Sequence, residues 1–385
     1  MIPYGRQEVT QEDIDAVTDV LHSDFLTQGP KVPLFEDVVS KYCNASYAVS
    51  TNSATSALHL ACLALNLSHG DWLWTTPITF VASANCGLYC GAQVDFVDID
   101  PKTYNMSIES LKHKLLEAEI HGKLPKVVIP VHFGGQSCDM QAIHALSKQY
   151  GFRVIEDASH AIGGKYKNAN IGDCKYSDIT VFSFHPVKII TTCEGGMAMT
   201  NNHKLSSKMR RLRSHGITRD SNEMTHLSHG PWYYQQIDLG FNYRMNDLQA
   251  ALGISQMNRI DSYINKRQSI AAHYNKELSE LPLTTPHQHA ENFSAYHLYV
   301  VRLKCKLLKK NHAQIFKALR DEGIAVNLHY IPIHTQPYYK NLGFNEGNFP
   351  NAEQYYKEAI SLPIYPTLDK DQQNSIIDCL KRLLK

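Results

Sequence analysis

The stretch Arg153-Val154-Ile155-Glu156-Asp157-Ala158-Ser159-His160 reads as a short apolar strand that ends in an acid and opens into a loop. Helical periodicity over Asp139–Tyr150 precedes it, and a second apolar run, Ile179–Phe182, follows. Strands of this length separated by helices are joined by crossovers, because a parallel pair cannot be closed by a tight turn. The same alternation extends outward. Tyr47–Ser50, Asp71–Thr75, Gln93–Val97, Lys126–Val131 and Gly196–Met199 are further short β-rich runs. Thr55–Leu67, Phe80–Tyr89 and Ile108–Ala118 carry helical stripes between several of them. The expected fold class is α/β, with a mostly parallel central sheet covered by helices on both faces.

Two helices precede this region. Thr10-Gln11-Glu12-Asp13 is an N-cap signal followed by the stripe Ile14, Val17 and Leu21. The loop Ser23–Pro33 then leads to the amphipathic run Leu34–Cys43. Beyond residue 200 helical periodicity dominates, through Lys204–His215 and Asn246–Leu281, up to a break at Pro282 and Pro286. Tyr299–Leu303 and Val326–Leu328 read as strands, and Leu307–Glu322 and Lys370–Leu384 as helices. The expected division is a large domain over 1–255 and a smaller α+β domain over 256–385.

Composition excludes several classes. The 385 residues carry 38 basic and 37 acidic side chains, a formal charge of +1. That balance speaks against a general nucleic-acid binder, so any anionic ligand must be held by local groups. No run approaches the roughly 18 apolar residues of a membrane helix, and Met1–Arg6 lacks the pattern of a secretory signal. Nine cysteines, without one Cys-x-x-Cys pair, read as reduced thiols of a cytoplasmic protein. No His-Glu-x-x-His spacing occurs among the 20 histidines, and no metal is expected.

In open α/β sheets ligands bind beyond the carboxyl ends of the strands. Asp157 ends one strand, with His160 in the loop after it. Ser183-Phe184-His185-Pro186-Val187-Lys188 follows another, and Glu194-Gly195-Gly196 comes next. Taken singly, Asp157 is a turn cap and Lys188 a solvated surface charge. Together they make the pair that pyridoxal 5′-phosphate chemistry needs. The amine forms a Schiff base with the cofactor and later moves a proton, while the acid keeps the pyridine nitrogen protonated. Thr51-Asn52-Ser53-Ala54-Thr55-Ser56-Ala57 joins a strand to a helix start, where small residues admit a phosphate to backbone N–H groups. Thr55 and Ser183 could add hydroxyl donors. A plain N-cap is the ordinary reading of such a segment. His160 and Phe80 could cover the two ring faces; their ordinary readings are a satisfied loop histidine and a core aromatic.

Ser183-Phe184-His185-Pro186-x-Lys188 with Glu194-Gly195-Gly196 resembles the lysine motif of the DegT/DnrJ/EryC1/StrS sugar aminotransferases. Glu156-Asp157-x-x-His160 and Gly240-Phe241-Asn242-Tyr243-Arg244-Met245 match two further motifs of that family. The resemblance covers nearly the whole chain. It implies aminotransferase fold type I, a homodimer with shared active sites, and transfer of an amino group from L-glutamate to a 4-keto nucleotide sugar. By that resemblance Lys188 is the Schiff-base lysine, Asp157 the pyridine partner and His160 the ring-face residue. Ala54, Thr55 and Ser183 would hold the phosphate, and Asn242 would reach the phosphate of the neighbouring subunit.

Four stretches are similar to family members that act on UDP-linked 4-keto-6-deoxy-N-acetylhexosamines: Ile2–Gly5, Asp24–Gly29, Asn52–Leu58 and Asn327–Pro332. That similarity places Tyr4, Asp24, Phe25, Leu26, Thr27, Ala54, Ser183, Asn242, Asn327, Leu328, His329 and Tyr330 at the nucleotide-sugar pocket. The pattern departs from the family in Val187, where Thr is more usual, and in Cys193, where Gly or Ala is common. A sister enzyme acting on a UDP-bacillosamine or GDP-perosamine precursor is the near alternative. A dehydratase of the same fold would carry histidine in place of Lys188, and a non-catalytic sensor would have no use for the lysine, acid and cup together.

Overall fold

A computed structural model describes residues 1–384. Seven strands form the central sheet, in the order 47–51, 196–200, 179–183, 153–157, 127–128, 72–75, 93–96. Gly196–Thr200 runs antiparallel to both of its neighbours, and every other pair is parallel. All five residues of Ile179–Ser183 and of Gly196–Thr200 are buried, as expected for strands covered on both faces.

Asp157 and Ser183 are the last residues of their parallel strands, and Gly196 opens the antiparallel one. The loop after Thr51 therefore arrives at the same edge, since Thr51 pairs with Gly196 and Gly196 with Ser183. A buried carboxylate fixes the entry to that loop. Glu36, 4% exposed, accepts from Ser50 N and Oγ at 2.9 Å and from Arg210 and Arg213 at 2.6 Å. Burial of an acid is tolerated here because every oxygen has a charged or backbone donor.

Leu298, Val300, Ile333 and Tyr355 join the core of the large sheet. Other residues of the span Ile270–Leu384, including Tyr274, Tyr299, Ile315 and Ile376, build a second apolar cluster, against which Ile2 packs. Its sheet is antiparallel, in the order 283–284, 299–303, 359–362. Ile2–Pro3 pairs in parallel with Ile324–Ala325, and Ile364 N–H donates to Tyr4 O at 3.1 Å. The chain start is thereby drawn across the C-terminal part toward the large sheet.

Four of the expected elements differ in ways that bear on the site or its framework. The helical stretch 246–281 is two helices, Asp247–Met257 and Ile260–Glu277. At the junction Arg259 grips both oxygens of buried Asp13 at 2.6 Å, which tethers the break to the first helix. The expected helix 307–322 begins only at His312, because Asn311 and Gln314 close a capping box there. The expected strand 326–328 lies earlier, at Ile324–Ala325; Asn327 keeps only an isolated bridge to Ser361. Lys126–Val131 is a paired strand only over Val127–Val128.

Candidate active site

A cavity of 600 Å³ opens at the carboxyl ends of the central strands. Its lining brings together Tyr4, Ala54, Thr55, Phe80, Asp157, His160, Ser183, Lys188, Asn327, Leu328, His329 and Tyr330. Those positions lie far apart in sequence and were each expected at one site. Asp24, Phe25, Leu26, Thr27 and Asn242 do not line it within one chain, and all five are exposed. Phe80 is 59% exposed, so the core reading of that aromatic is wrong. Its ring stands 6.3 Å from that of Tyr330 at the cavity wall.

Asp157 both caps a turn and lines the cavity. Its Oδ1 caps the turn by accepting from Ser159 N–H at 3.1 Å, yet the side chain also faces the cavity. Oδ2 accepts from Ser83 Oγ at 2.6 Å, a contact the sequence did not suggest. Burial pulls the Lys188 amine down to about 8, against the opposing attraction of Asp157. The lowered value raises the fraction of free amine near neutral pH, the form a nucleophilic lysine requires.

The helix Ala54–Ala64 starts at the cavity. Ser53 is its N-cap and accepts from Ser56 N–H at 3.1 Å. Capping by Ser53 leaves the first-turn N–H groups of Ala54 and Thr55 without helical partners, aligned for an anion. The strand beside them is shaped to fit. A Cβ on Gly196 would stand 2.5 Å from Ala54 N and from Ser53 C and O. Only glycine lets the strand approach the cup, which explains Gly196 in the Glu194-Gly195-Gly196 motif.

Above Asp157, His160 Nδ1 accepts from Gly134 N–H at 3.3 Å, and Nε2 lies 3.1 Å from the Tyr330 hydroxyl. An accepting Nδ1 makes this imidazole neutral, with its proton on Nε2. Burial, then the charge of Lys188, depresses the basicity of His160 in the same sense. Gly135, at φ 107°, holds the Gly134 turn in place; a side chain there would meet Tyr296 N at 2.8 Å and His160 O at 3.1 Å. His297 was not anticipated. Its ring lies 4.5 Å from that of His160, it lines the cavity, and its Nδ1 has no partner among the described residues. It sits in Ser294-Ala295-Tyr296-His297, where periodicity gives no hint of a site. Ser83, likewise missed, looked like an ordinary helix residue.

His329 is 6% exposed, with Nδ1 at 2.8 Å from Ser361 Oγ, and burial pushes it down to about 3. It is a neutral group at physiological pH. Among the described residues, Lys188 is thus the single strongly basic side chain on the cavity wall.

The chain matches the model of the DegT/DnrJ/EryC1/StrS aminotransferase family over residues 7–381. It belongs to that family. Spore coat polysaccharide biosynthesis protein SpsC of Bacillus subtilis is 40% identical over 387 residues, covering 100% of this chain and 97% of SpsC. A UDP-4-amino-4,6-dideoxy-N-acetyl-β-L-altrosamine transaminase of Campylobacter jejuni is 37% identical over 388 residues, covering 100% and 98%. Among solved structures, Helicobacter pylori PseC, an aminotransferase of pseudaminic acid biosynthesis, superposes with a TM-score of 0.89. It is 31% identical, with 100% of this chain and 99% of that one covered. The protein is a sugar aminotransferase with the fold type I architecture of the pyridoxal phosphate enzymes.

Proposed function

We propose that this aminotransferase uses pyridoxal 5′-phosphate to move an amino group from L-glutamate to C4 of a UDP-linked 4-keto-6-deoxy-N-acetylhexosamine. The acceptor is UDP-2-acetamido-2,6-dideoxy-β-L-arabino-hex-4-ulose, and the product is UDP-4-amino-4,6-dideoxy-N-acetyl-β-L-altrosamine, an intermediate of pseudaminic acid biosynthesis. The observation that carries the cofactor is the juxtaposition of a cup, an acid and a lysine of lowered basicity in one cavity. The residues fit the group: the cup has free N–H donors and no Cβ at Gly196, and Asp157 keeps lone pairs for a pyridinium. When bound, the cofactor supplies an electron sink for proton removal at the carbon bearing nitrogen.

The chain's own groups do the rest. Lys188 carries the covalent link, and its amine takes and returns the proton at the substrate carbon. Asp157 holds the positive pyridine nitrogen. Ala54, Thr55 and Ser183 bind the phosphate, while His160 and Phe80 confine the ring. Tyr4, Asn327, Leu328, His329 and Tyr330 face the nucleotide sugar. A diphosphate and a dicarboxylate need more positive charge than Lys188 alone provides, and this supports a homodimer in which the neighbour completes the site. Asn242 and the exposed segment Asp24–Thr27 are assigned to that shared boundary. We place the domain division at 255/256 and the enzyme in the cytoplasm; the second apolar cluster, which begins at Ile270, supports a smaller C-terminal domain without fixing that boundary.

The test is a two-stage reaction. One site serving glutamate and a sugar in turn gives ping-pong kinetics. Glutamate alone should bleach the visible band of the loaded enzyme, and the UDP keto sugar alone should restore it. A panel of UDP-, GDP- and dTDP-4-keto sugars decides the acceptor. Restoration by a bacillosamine or perosamine precursor, and not by the arabino-hexulose, would reassign the substrate.

A further inference from the structure

We propose that Thr79 and Ser83 form a hydroxyl relay that fixes the orientation of the Asp157 carboxylate toward the cofactor nitrogen, which makes Ser83 a positioning residue of the reaction. The inference rests on the reading of Asp157 as the pyridine partner. All three side chains are buried: Ser83 is 0%, Thr79 3% and Asp157 5% exposed. Thr79 Oγ1 lies 2.8 Å from Ser83 Oγ, which lies 2.6 Å from Asp157 Oδ2.

The direction of the relay follows from donor counting. An ionised carboxylate only accepts, so the one proton of Ser83 points at Oδ2. Ser83 Oγ can then take the proton of Thr79. With Ser159 N–H on Oδ1 at 3.1 Å, both oxygens are tied and the carboxylate plane cannot turn without losing a bond. The remaining lone pairs are free for a ring N–H.

A hydroxyl suits this post better than a cation. A charge-assisted hydrogen bond stabilises the anion, whereas an arginine would neutralise it and compete for the pyridinium. The placement is economical in sequence. Thr79 and Ser83 lie on either side of the helix start at Ala82 and flank Phe80, so one short segment supplies a ring wall and the relay.

The experiment uses the holoenzyme loaded with pyridoxal phosphate labelled with ¹⁵N in the ring. Ser83→Ala should move the ¹⁵N resonance toward that of a neutral pyridine, as the shared proton shifts to the carboxylate. Losing a hydrogen bond to a charged group should slow the glutamate half-reaction about tenfold or more, with little change in glutamate KM. Ser83→Thr restores the hydroxyl and should restore both readouts. Thr79→Val should act in the same direction and more weakly, and it carries the test if Ser83→Ala does not fold. A wild-type resonance in Ser83→Ala and Thr79→Val, while Asp157→Asn shifts it, would overturn the relay alone. A resonance that Asp157→Asn also leaves unmoved would overturn the underlying assignment of Asp157 as well.

Discussion

Replacing Gly196 by alanine tests the phosphate cup without touching any group that does chemistry. The new Cβ would stand 2.5 Å from three backbone atoms at the Ser53–Ala54 junction. Carbon contacts are relaxed only near about 3.5 Å, so the two segments must separate by about 1 Å. No flexible side chain can absorb that distance. Gly196–Thr200 is clamped between Tyr47–Thr51 and Ile179–Ser183, so the helix start has to move. Such overpacking costs about 1–3 kcal/mol, and a donor misplaced by about 1 Å can cost on the order of a hundredfold in a positioned site. The expected outcome is a cofactor Kd raised about tenfold to a hundredfold, read by fluorescence titration. Melting of the cofactor-free variant should fall by several degrees, yet remain cooperative. Wild-type affinity in a variant that melts cooperatively would show that the anion sits elsewhere and that Ala54 and Thr55 are ordinary helix residues.

The other expectations can be checked with the same holoenzyme. Lys188→Ala and Lys188→Arg should both abolish turnover, since a guanidinium stays protonated; borohydride reduction and peptide mapping should find the label at 188 and nowhere else. In the cofactor-free protein, a Lys188 held at about 8 when folded and at about 10.4 when unfolded lowers stability fully below about pH 8, and by less and less as the pH rises to about 10.4. Lys188→Met should therefore raise the melting temperature at pH 7 and raise it less at pH 10; equal gains would argue against a buried amine. Asp157→Asn should retain cofactor through the cup but lose most activity. Mixing inactive Lys188→Ala with weakened Asn242→Ala, under conditions of proven subunit exchange, should regain activity, because one site of the mixed dimer carries both lesions and the other none. His329→Ala should raise the KM for the sugar and spare the glutamate half-reaction.

What the sequence disclosed follows from what local chemistry can encode. Arg153–Asp157, Tyr299–Leu303 and Lys370–Leu384 fall where their periodicity puts them, because a buried strand or an amphipathic helix is written in consecutive residues. That the lysine, acid and cup share one cavity was legible because each lies at or soon after a strand end within a motif of fixed spacing. Ser83 and His297 were not, since their importance arises from contacts across 74 residues in one case and with the His160 ring in the other. Nothing in their own neighbourhoods departs from helix or strand-edge composition. Ala359–Leu362 escaped for a related reason: four buried residues after a short helix give too little pattern to separate strand from helix. His329 shows the opposite limit. Its sequence context placed it at the nucleotide-sugar pocket but could not fix its protonation: burial, with the charge of Lys188 nearby, keeps it neutral. It can donate from Nε2 only if Ser361 gives its own hydroxyl proton to Nδ1. Ser361→Ala should then free the ring to carry its proton on either nitrogen and weaken sugar binding as His329→Ala does. If Ser361→Ala leaves the sugar KM unchanged while His329→Ala raises it, His329 acts through its ring surface and not through a hydrogen bond.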